Sequence, residues 1–440
     1  MTDAALSDVR VLDLAGEIGV YCTKLLADLG ADVIRIEHPD GDPLREIGPF
    51  WHDEAGFDRS LLFFNHNTNK RSVTLDIASA EGRALFEELV ATADVVVETF
   101  QPGYLDSLGL GYAGLSKIKP DIILTSITGF GQDGPHAGYA WSDIVGVAMS
   151  GMMTLAGDED DPPNLPASSQ GYHGASIQAA AGTLMAVWHR DNTGEGQHVD
   201  VSMQEANSIN QERAMQTYDM TKQIRTRTGA RAEIPIDIAG MGVYQCTDGQ
   251  VFAYLGTPGG APWTVMLDWM NSLGLAEDLN DEPYLTLIRK LNLSFLTSLA
   301  RPDELAKHLA DFGGRVNAVG DLLQVMQHLY EVFVRFCASM SKWTLYEEGQ
   351  KQRLMFGIVS TPEDLATNPQ LAARQWYRDV EHDHLGASVR YAGPPYRLSE
   401  TPWAIRRRPP LPGEHNSEIF VDELKMETAE LERLRRAGVV

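Results

Sequence analysis

Only three cysteines occur in 440 residues, Cys22, Cys246 and Cys337. They are odd in number and far apart, so they make neither a disulfide framework nor a metal-ligand spacing. A reduced, cytoplasmic setting fits. Positive charge is scarce as well: 36 Lys and Arg stand against 61 Asp and Glu, a formal net charge of −25. Binding a phosphate backbone needs a basic footprint, so this balance argues against a nucleic-acid partner. The acidity serves solubility, and local Lys and Arg still leave room for an anionic ligand. No apolar run approaches the roughly 18 residues of a membrane span, so no membrane partner is expected. The start, MTDAALSDVRVLDL, lacks the basic-then-apolar order of a secretory signal. Internal repeats and low-complexity tracts are also missing.

What is present is a strand–helix alternation. Hydrophobic residues make up 43% of the chain, and the length suits two or three domains. VRVLDL reads as a buried strand, GVYCTKLLADLGA as a helix stopped at Gly30, and DVIRIE as a second strand. That spacing predicts a parallel βαβ unit. RSVTLDI, DVVVETF, DIILTSIT and QHVDVSM continue the strands, with helical segments between them, so an α/β sheet is expected. A polar stretch at 221–233 reads as a linker. After it, GVYQCTDGQVFAYLGT reads as a hairpin turning at Asp248-Gly249, and amphipathic helices run to about residue 350.

Five stretches are candidates for chemistry. GFGQDG (129–134) matches a dinucleotide fingerprint, but Pro135 follows at once and no helix opens there. The loop AGEIG (15–19) with Glu37 lies near the Rossmann ribose position, but its glycines are wrongly spaced. NHNTNKRS (65–72) holds an adjacent cation pair, read as an anion patch or as a solvated pair. Asp143 precedes a small-residue segment, as a helix cap or as a pocket carboxylate. Finally, SSQGYHGASIQAAAGTLMAVWHR (168–190) brings Tyr172 and His173 to the start of a helix with hardly any polar face, which predicts a buried helix. No Ser-His-Asp or Cys-His arrangement can be assembled from spacing alone.

Taken in order, four segments resemble the class III coenzyme A transferases, the formyl-CoA, carnitine and benzylsuccinate CoA-transferase group. They are VLDLAGEIGVYCTKLLADLGADVIRIEHPDGDPLR, the run from NKRSVTLDI to GFGQDGP, GTLMAVWHRDNTGEGQHVDVSMQEA, and the stretch from NPQLAARQW to LPGEH. The resemblance covers about the first 210 residues and the last 80. It implies a large Rossmann-like domain from both chain ends (1–225 and 355–440) and a smaller α+β domain (226–354), in an interlocked dimer. It also implies transfer of CoA from an acyl-CoA, such as succinyl-CoA, to a carboxylic acid. A CoA thioester is then a substrate, and no cofactor is held permanently. In that chemistry an Asp carboxylate attacks the thioester, passes through an anhydride and holds CoA as an aspartyl thioester.

Carried over residue by residue, the resemblance places Glu17, Gly19, His38, Lys70, Arg71, Thr99, Phe100 and Tyr104 at CoA. Asp143 matches an acid of the substrate pocket. Ser142 stands where the racemase branch has His. The family's nucleophilic Asp lies ten residues before a glycine that is Gly182 here, and that slot holds Tyr172. A phenol, with a pKa near 10, is a poor substitute. The expectation is therefore the Asp-lacking subunit of a heteromeric CoA-transferase, working with a homologous Asp-bearing subunit. The alternatives are a self-sufficient enzyme (isomerase, racemase or lyase included) using Glu17, Asp143 or His173, and a non-catalytic acyl-CoA binding protein.

Overall fold

Six β-branched or aliphatic runs become the strands of one parallel sheet. They are β1 (Arg10–Leu14), β2 (Asp32–Glu37), β3 (Arg71–Thr74), β4 (Val95–Glu98), β5 (Ile123–Thr128) and β6 (His198–Ser202), in the order β3-β2-β1-β4-β5-β6. Near-continuous burial of β1, β2, β4 and β5 is what helices on both faces of a parallel sheet require. The computed structural model describes residues 4–231, 236–299 and 301–440, so residues 232 and 233 of the expected linker lie outside the described residues. Among the described residues no helix is long and apolar enough to cross a membrane.

The strand order reverses direction between β1 and β4. In such sheets the crevice for a ligand opens at the carboxyl ends of those two strands. Here the loop after β1 carries Glu17 and the loop after β4 carries Thr99 and Phe100. Gly30 ends the helix Val20–Asp28 with φ +109°, a conformation that favours glycine. The C-terminal helix Thr428–Arg436 returns to this unit and packs Leu431 and Leu434 into the same core as Leu12, Ile34 and Phe86.

The chain divides into two compact units. The first comprises residues 1–154, 164–225 and 370–440; the second comprises 155–163 and 226–369. The second holds the expected hairpin, β7 (Met241–Cys246) and β8 (Gly249–Tyr254), antiparallel with Cys246 opposite Gly249. The turn therefore falls on Thr247-Asp248, one residue before the expected Asp248-Gly249, because Gly249 already pairs in the strand. A third strand, β9 (Phe356–Ile358), pairs with β8. That pairing carries the second unit past residue 354 to residue 369. A separate hairpin, β10 (Arg378–His382) with β11 (Ala387–Tyr391), belongs to the first unit.

The long helix Gln170–Thr193 corrects one expectation. Its buried face is a line of small residues, Gly171, Ala175, Ala179, Thr183 and Ala186. Ser176 Oγ donates to Ile18 O at 2.7 Å, and the Thr125 and Thr183 hydroxyls meet at 2.7 Å. The opposite face is open, with Ile177, Met185 and Trp188 exposed at 49%, 66% and 70%. The apolar pattern predicted burial all round, but in the single chain the sheet and the helices beside it cover one face only.

Candidate active site

The sequence puts two serines before the long helix, and both take positive φ, Ser168 at +66° and Ser169 at +52°. Outside glycine such values cost roughly 1–3 kcal/mol each and cluster at functional sites. Ser169 makes no side-chain cap to its own helix. The cap comes from elsewhere: Asp143 Oδ1 accepts from the backbone N–H of Tyr172 at 3.0 Å. Asp143, in the first turn of the helix Asp143–Met149, thus caps a neighbouring helix. The two glycines around the Tyr172-His173 pair make room for two neighbours, Asp143 and Asn207. A Cβ at Gly171 would lie 2.8 Å from Asp143 Oδ1, and one at Gly174 would lie 2.4 Å from Asn207 Oδ1.

Tyr172 and His173 are half-buried and border a cavity of about 460 Å³. His173 Nδ1 bonds Ser169 O at 3.0 Å, and the ring leans on Tyr21, centroids 4.9 Å apart. His66 enters the same cavity from the short helix Leu61–His66, its Nδ1 bonding Leu62 O at 3.1 Å. Glu17 completes the wall, with Ser169 Oγ donating to its Oε1 at 3.4 Å. Burial raises the Glu17 pKa, and Asp143 adds to the rise against the Ser169 hydrogen bond and His173. Burial, with Glu17 and Asp143, pushes the Tyr172 phenol up to about 12. It is therefore neutral at pH 7, and no carboxylate stands at that position.

A second cavity, about 530 Å³, opens at the β1/β4 switch point. Glu17, His38, Thr99, Phe100 and Tyr104 all line it, so five of the eight residues assigned to CoA come together there. Glu17 borders both cavities. Gly19 lies just outside, ahead of the helix Val20–Asp28 and close-packed on Thr99. Glu98, at the end of β4, braces this wall by accepting from Phe100 N at 2.6 Å. Burial lifts its pKa from 4.5 to about 7, against hydrogen bonds from Ser126 and Phe100.

Lys70 and Arg71 border neither cavity. Lys70 is fully buried, donating to Asp13 Oδ2 at 2.9 Å, Thr23 Oγ1 at 2.8 Å and Asn67 Oδ1 at 2.9 Å. Arg71 turns to Asp32 and Glu418, at 2.6 and 2.9 Å. Each cation is saturated by partners within its own fold. Glu37 is likewise committed, with Arg45 at 2.6 and 2.7 Å, so it is not free for a ribose. GFGQDG forms turns, with Gly131 N donating to Thr128 Oγ1. His66 and Tyr21 escaped sequence reading. His66 lies in the quoted NHNTNKRS stretch, but its adjacent cations drew attention, and 107 positions separate it from His173.

The sequence profile of CoA-transferase family III matches residues 6–289 and 289–416. The chain is 35% identical over 438 residues to the succinyl-CoA:(R)-benzylsuccinate CoA-transferase subunit BbsE of Thauera aromatica, covering 99% of this chain and 98% of that one. It is 33% identical to the succinyl-CoA–D-citramalate CoA-transferase of Chloroflexus aurantiacus, with 99% and 98% covered. A solved CAIB/BAIF family protein from Brucella suis superposes with a TM-score of 0.76 at 28% identity, over 96% of this chain and 99% of that one.

Proposed function

The chain belongs to CoA-transferase family III, and from that premise we propose that it is the Asp-lacking subunit of a heteromeric enzyme. The pair would move CoA between an acyl-CoA, such as succinyl-CoA, and an organic acid. The observation that carries this reading is Tyr172: a neutral phenol at the head of the long helix, where the family resemblance calls for a nucleophilic carboxylate. Asp143, one residue of interest nearby, is occupied in capping Tyr172 N. In this reading a carboxylate of the partner attacks the thioester carbonyl, an O–C bond forms as the C–S bond breaks, and the CoA thiolate leaves.

The switch-point cavity is the proposed CoA site, walled by Glu17, His38, Thr99, Phe100 and Tyr104, with Gly19 closing its loop. Lys70 and Arg71 hold the strands beneath it. CoA is a substrate there. The partner is a homologous Asp-bearing chain in an interlocked dimer. Two facts support a partner: the open apolar face of Ile177, Met185 and Trp188, and the relative named as a subunit. Three buried free thiols fit the reduced cytoplasm.

The test is a CoA-transfer assay on the purified chain, alone and with an Asp-bearing homologue. The reading expects no transfer alone and transfer with the partner. Transfer by the chain alone would contradict it. One observation favours a second reading, a self-sufficient enzyme: Glu17 borders both cavities, where a carboxylate nucleophile would have to sit. Glu17→Gln would abolish turnover by the lone chain in that case.

A further inference from the structure

The 460 Å³ cavity has an apolar wall from Tyr21, Leu61, Leu62 and Tyr172 and no Lys or Arg among its lining residues. Its polar end is a pair of imidazoles, His66 and His173, with ring centroids 5.7 Å apart. Tyr21 touches both, at 5.8 and 4.9 Å. Each imidazole spends Nδ1 on the carbonyl four residues back, Leu62 O and Ser169 O. A backbone carbonyl only accepts, so Nδ1 carries the hydrogen and Nε2 is left with its lone pair. Neither Nε2 has a hydrogen-bond partner among the described residues.

Resting on the reading that the ligands are carboxylic acids and their CoA thioesters, we propose that His66 and His173 bind the second, non-reacting carboxylate of a dicarboxylic acid by taking up one proton between them. A carboxylate entering this cavity meets no fixed cation and needs one. One proton from solvent on either Nε2 supplies a charge-assisted hydrogen bond to it. A second proton is opposed, because two imidazolium rings this close repel. The apolar wall takes the body of the acid, and its reacting carboxyl lies toward Glu17, which leads to the other cavity.

The groups around His66 keep it neutral until a ligand arrives. Burial holds its pKa down, to about 3, with His173, Lys70 and Lys24 adding to the effect. Lys24 and Lys70 are neutralised in part by Asp28 at 2.8 Å and Asp13 at 2.9 Å. Tyr21 faces the ring from the helix Val20–Asp28, His173 from the long helix, and Glu17 stands beside His173. An incoming carboxylate works against this balance, since an adjacent opposite charge favours the protonated imidazole.

The test is isothermal titration of the full chain with benzylsuccinate and with 4-phenylbutyrate, which keeps the ring but has one carboxylate. Titrations in buffers of differing ionisation enthalpy at pH 7 give the protons taken up. Benzylsuccinate should bind at least tenfold more tightly and take up close to one proton. His173→Gln, and His66→Gln if it folds by circular dichroism, should remove both the uptake and the preference. Equal affinity for the two acids, absent proton uptake, or uptake unchanged in His173→Gln would overturn the proposal. CoA is titrated in parallel. CoA binding without diacid binding sinks this inference and leaves the transferase reading standing. Proton-linked diacid binding in a chain that no Asp-bearing homologue activates sinks that reading and sustains this inference.

Discussion

Two clusters of ionisable groups in the larger unit differ in how their valences are filled. Below the β1–β2–β3 edge, Asp13 accepts from Ala15 N, Thr23, Arg35 and Lys70 at 2.9–3.0 Å, while Arg35 also binds Asp42 and Arg45 binds Glu37. Burial would raise the Asp13 pKa, but Lys70 and Arg35 outweigh it and hold the carboxyl below its usual range. Around Glu17, Tyr172, His173 and His66 the polar atoms have few partners, the backbone is strained and two cavities meet. The charges of the first cluster are already paired, even where Arg35, Glu37 and Asp42 reach the wall of the switch-point cavity; those of the second are not. Charge in a motif therefore does not locate a binding site.

The sharpest way to break this contrast is Lys70→Met. It leaves Asp13 buried beside a lone Arg35 and should cost about 3–5 kcal/mol, read as a lower denaturant midpoint, with CoA affinity of the folded fraction unchanged. Lost CoA affinity at unchanged stability would put Lys70 at the ligand instead. Next in size is Glu98. Its folded pKa is raised from 4.5 to about 7, so the folded state keeps a proton that the unfolded chain has released. The stability this contributes is complete below pH 4.5 and lost as pH rises to about 7, roughly 3 kcal/mol across the window. Glu98→Gln should flatten that slope in urea titrations from pH 4.5 to 7.5.

Much of the fold was legible because its determinants are local. The six strands, the stop at Gly30 and the hairpin, if not the exact residues of its turn, each follow from a few adjacent residues. The site was legible only in part. The loop of Glu17 was legible as the segment after the first strand, and Thr99 and Phe100 entered through the family resemblance, but His66 meets His173 across 107 positions. Lys70 and Arg71 could not be separated from ligand contacts without knowing that Asp13 and Asp32 already hold them. The open face of the long helix was hidden for a similar reason: periodicity reports apolar residues, not what covers them.

Smaller effects sharpen the open cluster. Tyr172→Phe should leave transfer by the partnered complex unchanged in rate, because a neutral phenol contributes no nucleophile; a large loss in steady-state kinetics would assign the hydroxyl a role. Ser168→Gly should stabilise the fold by about 1 kcal/mol or less, read as a small rise in melting temperature, since relief of the positive φ is offset by added freedom in the unfolded chain.

The central claim is that Tyr172 stands in a vacated nucleophile position. Intact-mass and peptide mass spectrometry after incubation with succinyl-CoA, followed by hydroxylamine or borohydride trapping, tests it most directly. The wild-type chain should carry no adduct, whereas Tyr172→Asp should gain one at residue 172. An adduct on Tyr172 of the wild-type chain would contradict the claim, and one on Glu17 would identify a displaced nucleophile and a self-sufficient enzyme.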